Sequence, residues 1–167
     1  MKLTKATPAD LPAVCAFYRA VCEAMERGGL DMWHWGEYPN GDILAEDVRK
    51  GWLYMVREEG RILACVVVNQ EAEDDYAGLP WREDGKAGLF HRLAVAPDMQ
   101  GRHLAEGVME GVMDILRAQG CVVLRGDVYG GNAKALRLYE RMGLKKVGAF
   151  RQEWGWAYPF YGLEKRL

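Results

Sequence analysis

Apolar positions recur at two periods along this chain, and the switches between them mark its elements. Leu11, Val14, Cys15, Tyr18, Val21, Cys22 and Met25 follow one another at helical spacing. Thr7-Pro8-Ala9-Asp10 precedes them as a helix start, with Thr7 as the cap, Pro8 at the first helical position and Asp10 at the positive end. Gly28-Gly29 stops that run, a short strand over 2–6 lies before it, and a second helix over 41–50 ends at Gly51. Trp52–Arg57 and Arg61–Asn69 are apolar strands joined around Glu58-Glu59-Gly60 as a hairpin. Leu89-Phe90-His91-Arg92-Leu93-Ala94-Val95 is dense enough in apolar residues to be an interior strand, and Pro97-Asp98 breaks it. Gln100-Gly101-Arg102-His103-Leu104-Ala105 then opens a helix with Leu104, Val108, Val112, Ile115 and Leu116 on one stripe. A strand over Cys121–Val128 follows. Asn132–Met142 is a helix with Ala135, Leu138, Tyr139 and Met142 on one face, closed by Gly143. Leu144–Phe150 and Trp156–Lys165 are the last strands. The order βααβββαβαββ predicts an α/β fold with a mixed central sheet of about six to seven strands and about four flanking helices.

Composition narrows the function more than the fold. At 167 residues the expectation is a single domain over 1–167 with one sizeable core. A formal net charge of −2 argues against a general nucleic-acid binder. No apolar run approaches the ~20 residues of a membrane span. The opening MKLTKATPADL lacks a signal peptide's apolar core, so the expected location is cytoplasmic, with no membrane partner. Cys15 and Cys22 fall about 10 Å apart along one helix, too far to bridge, while Cys65 and Cys121 lie in apolar runs. No C-x-x-C spacing occurs, so buried free thiols are expected and no metal site.

A strand running into a helix whose first turn carries Gly101, Arg102 and His103 is a physical trap for an anion. The first backbone N–H groups have no partner inside the helix, and the positive end of the helix dipole points the same way, so a phosphorylated ligand is expected there. Two loops carry the remaining unusual chemistry. One is aromatic, with Trp33, His34, Trp35 and Tyr38; the other, over 71–86, is acidic, with Glu71, Glu73, Asp74, Asp75, Glu83 and Asp84 around Tyr76 and Trp81.

The Gln100–Ala105 turn and the later Asn132-Ala133-Lys134-Ala135-Leu136-Arg137-Leu138-Tyr139-Glu140-Arg141-Met142-Gly143-Leu144 stretch resemble two motifs of the GNAT N-acetyltransferase superfamily. There, Q/R-x-x-G-x-G/A cradles the pyrophosphate of coenzyme A, and N-x-x-A-x-x-x-Y-x-x-x-G-F follows. Either motif alone is weak; two in order, with a strand between them, are much stronger. One position departs: the central glycine of the first motif is His103. Early helical positions do not demand φ > 0, so a side chain is expected to fit. Its imidazole either crowds the phosphate or, protonated, adds positive charge to it.

The resemblance implies acetyl-CoA as co-substrate, no metal, and an N-acetyltransferase that moves the acetyl group directly to a primary amine. Coenzyme contacts are implied for Leu93, Ala94, Val95, Gln100, Gly101, Arg102, His103, Leu104, Ala105, Asn132 and Tyr139. Backbone amides of Leu93–Val95 would polarise the thioester carbonyl while the side chains of Leu93 and Val95 belong to the core. Tyr139 matches the family tyrosine that protonates the thiolate; a phenol titrating near ~10 suits a donor. Helical spacing alone would make it a core tyrosine, and its place in the second motif reverses that reading. Asn132 matches a coenzyme contact and is also an N-cap.

The base is less defined. Strand alternation puts His91 on the face of Leu93 and Val95, and it matches a strand histidine that removes protons in one branch of the family. In the histone-acetylating branch the base is a glutamate at the position of Leu89, which cannot serve. A structural histidine, Asp127 and a water chain stay open. Trp33, Trp35, Tyr38, Tyr76 and Trp81 could wall an amine by stacking or cation–π contact, and Glu37 and the acidic loop favour a cationic one. The reading without a ligand is loop packing and a solvated surface. The partner is then a small-molecule or peptide amine, and a homodimer through the C-terminal strands is a further expectation from the resemblance. The alternative is a non-catalytic acyl-CoA-binding module. A nucleotide binder lacks its fingerprint, because neither G-x-x-x-x-G-K-[ST] nor strand–G-x-G-x-x-G occurs.

Overall fold

The structure is a computed structural model that describes residues 2–152 and 155–167. Its strands are β1 (Thr4–Lys5), β2 (Leu53–Glu58), β3 (Arg61–Asn69), β4 (Ala87–Val95), β5 (Val123–Tyr129), β6 (Lys145–Phe150) and β7 (Phe160–Arg166). Its helices are α1 (Leu11–Arg27), α2 (Gly41–Arg49), α3 (Leu104–Ala118) and α4 (Ala133–Arg141). The strands form one seven-stranded sheet in the order β1-β2-β3-β4-β5-β7-β6. β4 and β5 are parallel, whereas β2–β3, β5–β7 and β6–β7 are antiparallel, so the sheet is mixed and the fold is α/β. Every β3 residue after Arg61 is buried, which explains its near-continuous apolar run.

The chain divides into two compact units. One runs to Val68 and takes in Arg92–Gly111; Val14, Tyr18, Leu44, Leu53, Val66, Val67 and Val108 are among its fully buried apolar residues. The other comprises Asn69–His91 and Val112–Leu167, with Tyr76, Val112, Leu116, Leu124 and Leu163 at its centre. In the second unit a Cβ on Gly88 would come within 2.2 Å of Leu116 Cδ2, so glycine there lets α3 lie flush on β4.

Several element ends depart from the sequence expectation, each for a local reason. α1 starts at Leu11 because Pro8–Asp10 forms a 3-10 turn, with Asp10 Oδ2 accepting from the backbone N–H (2.8 Å) and hydroxyl (2.7 Å) of Thr7. α3 starts at Leu104 rather than Gln100: Pro97–Met99 is a 3-10 turn, Gln100 is extended, and Gly101 and His103 are left-handed at φ +79 and +58. The α3 stripe is wider than expected, since Met109 and Met113 are buried as well. β7 starts at Phe160, not Trp156, because Trp156 and Tyr158 pack edge-on against Tyr129 instead of joining a ladder. Cys121 precedes β5, and Cys15 is half-buried rather than buried; all four cysteines are free.

Candidate active site

In the first unit the C-terminal half of β4 holds one anomaly that shapes everything after it. Arg92 sits in the left-handed region at φ +50, inside a strand. For a residue with a Cβ that conformation costs about 1–2 kcal/mol. It also interrupts the alternation of faces. Ala94 is buried while Leu93 and Val95 are half-buried, the reverse of the expectation that the side chains of Leu93 and Val95 are core. The alternation that put His91 on their face does not run through Arg92, because period-two parity does not carry through a left-handed residue.

Arg92 is gripped on all sides. Its Nη2 donates to both carboxylate oxygens of Asp47 (2.7 and 2.6 Å) and its Nε to Asp47 Oδ2 (3.1 Å). Nη1 donates to the Tyr38 hydroxyl at 2.8 Å, and the Tyr18 hydroxyl donates to the Arg92 carbonyl at 2.7 Å. The Arg92 and Asp47 side chains are 9% and 5% exposed. Burial pushes the Asp47 carboxyl above the usual carboxylate value, and Arg92 offsets only part of that. For Arg92 burial works against the charge, but Tyr38 and Asp47 outweigh it, so the guanidinium stays protonated.

After β4 comes the turn. Gln100, Gly101, Arg102 and His103 are exposed, Leu104 and Ala105 half-buried. The Gly107 N–H donates to the His103 carbonyl at 3.4 Å, so the amides of the first turn of α3 lie ahead of the helix ladder. A Cβ on Gly101 would meet nothing within 4 Å, which leaves its backbone open to approach. His103 occupies a left-handed position after all, where glycine is favoured and histidine is among the better-tolerated alternatives. Its imidazole Nδ1 lies 3.2 Å from Glu106 Oε1. These residues fit a diphosphate: open glycine backbone, helix N-terminal amides and the exposed Arg102.

The aromatic loop belongs to the same unit. Trp33 is buried against Tyr18 and Tyr38, with ring centroids 6.1 and 6.3 Å apart. Trp35 is half-buried beneath the Arg19 guanidinium, Glu37 is exposed, and half-buried Tyr38 serves Arg92. His34 lies between Glu26 and Asp31, whose hydrogen bonds raise its pKa above the ordinary histidine value.

The second unit holds His91, Tyr76, Asp127 and Tyr139. His91 is buried, with Nε2 3.4 Å from Asn69 Oδ1 and Nδ1 3.8 Å from Glu73 Oε1. Tyr76 stacks on its ring at 6.4 Å, is itself buried, and donates to Asp127 Oδ2 at 2.6 Å. Trp81, half-buried, packs on Tyr76 and donates to its carbonyl. Tyr139 lies on α4 with its ring 5.2 Å from Phe90, whose own ring fills the space where Gly126 lacks a Cβ. Burial, then Asp127, raises the Tyr139 phenol above its usual range, so it is protonated at neutral pH. Asn132 caps α4, its side chain accepting from the Ala135 N–H at 3.1 Å. His91, Tyr76 and Asp127 are thus brought together. Asn69 and Glu73 join them without having been expected from sequence, where each read as one more polar residue at a strand end or in an acidic loop.

The parallel ladder from β4 to β5 runs from Ala87↔Val123 to Leu89↔Arg125 and ends there, while β5 continues to Tyr129 paired with β7. Sequence comparison decides what such a strand, turn and helix belong to: the acetyltransferase (GNAT) family model matches residues 14–144. The chain belongs to the GNAT acetyltransferase family. It is 39% identical over 62 residues to the [ribosomal protein bS18]-alanine N-acetyltransferase of Salmonella typhimurium, spanning 37% of this chain and 41% of that protein. It is 36% identical over 69 residues to the mycothiol acetyltransferase of Beutenbergia cavernae, 41% of this chain and 23% of that protein. The chain therefore spans less than half the length of either relative. A longer match, 26% identity over 150 residues, covers 86% of this chain and 80% of the L-methionine sulfoximine/L-methionine sulfone acetyltransferase of Pseudomonas paraeruginosa. Among solved structures, a GNAT-family acetyltransferase from Streptococcus agalactiae shares the fold with a TM-score of 0.84 at 19% identity, over 99% of this chain and 95% of that one. Among the described residues no group of His, Cys, Asp and Glu is placed to hold a metal, and no helix is long and apolar enough to cross a membrane.

Proposed function

We propose that this GNAT protein is an acetyl-CoA-dependent N-acetyltransferase that acetylates a primary amine by direct attack. When bound, acetyl-CoA supplies the activated acetyl thioester. The open left-handed turn at Gly101 and His103, at the head of α3, carries the reading, because it sets the first-turn amides ahead of the helix ladder with Gly101 open to a diphosphate. Gln100–Ala105 hold that diphosphate, the backbone of Leu93–Val95 orients the thioester arm and polarises its carbonyl, and Asn132 adds a contact at the start of α4.

The amine nitrogen bonds to the acetyl carbon and the C–S bond breaks. Tyr139 Oη gives its proton to the departing sulfur, and its raised pKa keeps that proton available at neutral pH. His91 takes the proton of the amine, directly or through water. In this reading Asn69 Oδ1, 3.4 Å from Nε2, takes one ring N–H, and the Glu73 carboxylate, 3.8 Å from Nδ1, would stabilise the imidazolium. Trp35, Glu37 and Tyr38 lie on the loop assigned to the acceptor. Trp33 supports that loop from within, its ring buried against Tyr18 and Tyr38, and Tyr76 is assigned to the acceptor beside His91. Relatives named for acting on a ribosomal-protein alanine and on methionine sulfone make α-amines of amino acids and peptide N-termini the first acceptors to test.

A thiol-release assay with acetyl-CoA over such amines tests the reading. Release with one amine class is expected, and Tyr139→Phe should lower kcat by about 10²-fold with little change in acetyl-CoA affinity. Binding without release for any amine would favour the non-catalytic acyl-CoA module instead.

A further inference from the structure

We infer that Asp47, Tyr18 and Tyr38 form a clamp that holds Arg92 in its left-handed conformation and thereby sets the Leu93–Val95 backbone for the thioester arm; the inference rests on the coenzyme reading above. Glycine is the residue that a left-handed kink within a strand favours, and this chain has an arginine there. Its conformation must then be held from outside. Three elements converge to do so: α1 through the Tyr18 hydroxyl on the Arg92 carbonyl, α2 through the Asp47 carboxylate, and the aromatic loop through the Tyr38 hydroxyl. The contacts fix both the carbonyl and the side chain of one residue, leaving its φ little freedom.

Two observations argue for a positional use. A buried ion pair is a poor way to gain stability over an apolar pair of the same size, so its worth lies in the geometry it fixes. The geometry fixed here also has a consequence on the next residues. With Arg92 left-handed, Ala94 faces the core and the Ala96 N–H donates to the Leu63 carbonyl, while Leu93 and Val95 stay half-exposed. Relaxing Arg92 to an extended angle would exchange those faces and turn the amides of Leu93–Val95 away. Asp47, Tyr18 and Tyr38 are positioning residues, acting on the coenzyme through Arg92.

The test compares calorimetric titrations with acetyl-CoA and with 3′-phospho-ADP, the coenzyme portion that lacks the thioester arm. Asp47→Asn and Tyr18→Phe should each weaken acetyl-CoA about ten-fold and raise its KM in proportion, while 3′-phospho-ADP binding stays within about two-fold. The double variant Asp47→Asn/Arg92→Gly should recover most of the acetyl-CoA affinity, because glycine adopts the left-handed angle unaided. If Asp47→Asn does not fold, Tyr18→Phe, which removes one hydroxyl, carries the test. Unchanged acetyl-CoA affinity, an equal loss for both ligands, or no recovery in the double variant would overturn the clamp and leave the coenzyme reading standing. A wild-type protein that binds 3′-phospho-ADP but not acetyl-CoA, or neither, would overturn the coenzyme reading and the clamp's role with it.

Discussion

His91 and Arg92 are neighbours on β4, yet their side chains are held in opposite ways. Arg92 makes short, charged, bidentate contacts at 2.6 and 2.7 Å to a carboxylate as buried as itself. His91 makes long ones, 3.4 Å to an amide oxygen and 3.8 Å to a carboxylate that is 56% exposed. The first pattern resists any change of geometry or charge. The second joins His91 to its neighbours at distances longer than an ordinary hydrogen bond. Two consecutive residues of one strand thus differ in the strength and the exposure of their partners.

The largest effect that would break this contrast is on stability. Asp47→Ala strands a buried guanidinium and should cost about 3–5 kcal/mol in urea unfolding. Asn69→Ala, which removes the long contact to His91 and the acceptor of the Glu71 N–H, should cost less, about 1–2 kcal/mol. Equal costs would mean that the two residues are held alike. Next, His91→Gln should lower kcat about 10²-fold while moving the unfolding midpoint little, which a purely structural histidine would not do. Smaller still is the effect of Asp127 on the proton donor. Tyr139 should remain protonated in an ultraviolet titration past the ordinary phenol range, and Asp127→Asn should move its titration down, since the carboxylate is one cause of the rise.

The smallest effect lies at the start of α1. Thr7, and then Arg57, hold the Asp10 carboxyl below its ordinary 3.8, so its contribution to stability is full above that pH and lost as the pH falls through the folded value. Unfolding of Asp10→Asn should show a correspondingly weaker acid dependence, by less than about 1 kcal/mol.

The element order was legible from sequence because each helix and strand carries its own period and its own stops, as at Gly28, Gly51 and Gly143. The motif turn was legible as chemistry but not as geometry. His103 and Arg92 both bear a Cβ, so nothing local announces a left-handed residue, and the parity argument for His91 had no warning that the strand would kink. The partners of Arg92 come from positions 18, 38 and 47, far along the chain, and a lone Asp on an amphipathic helix reads as surface. Tyr76 was legible as a candidate aromatic, but not its partners: the Asp127 carboxylate, the His91 ring and the packing of Trp81 and Phe150 come from elsewhere in the chain.

The measurement that tests the central claim most directly is a calorimetric titration of the protein with acetyl-CoA. Saturable one-site binding, weakened by Gly101→Val at the open left-handed turn, is the predicted result. Absence of binding, or binding indifferent to Gly101→Val, would contradict the assignment of that turn as the coenzyme cradle.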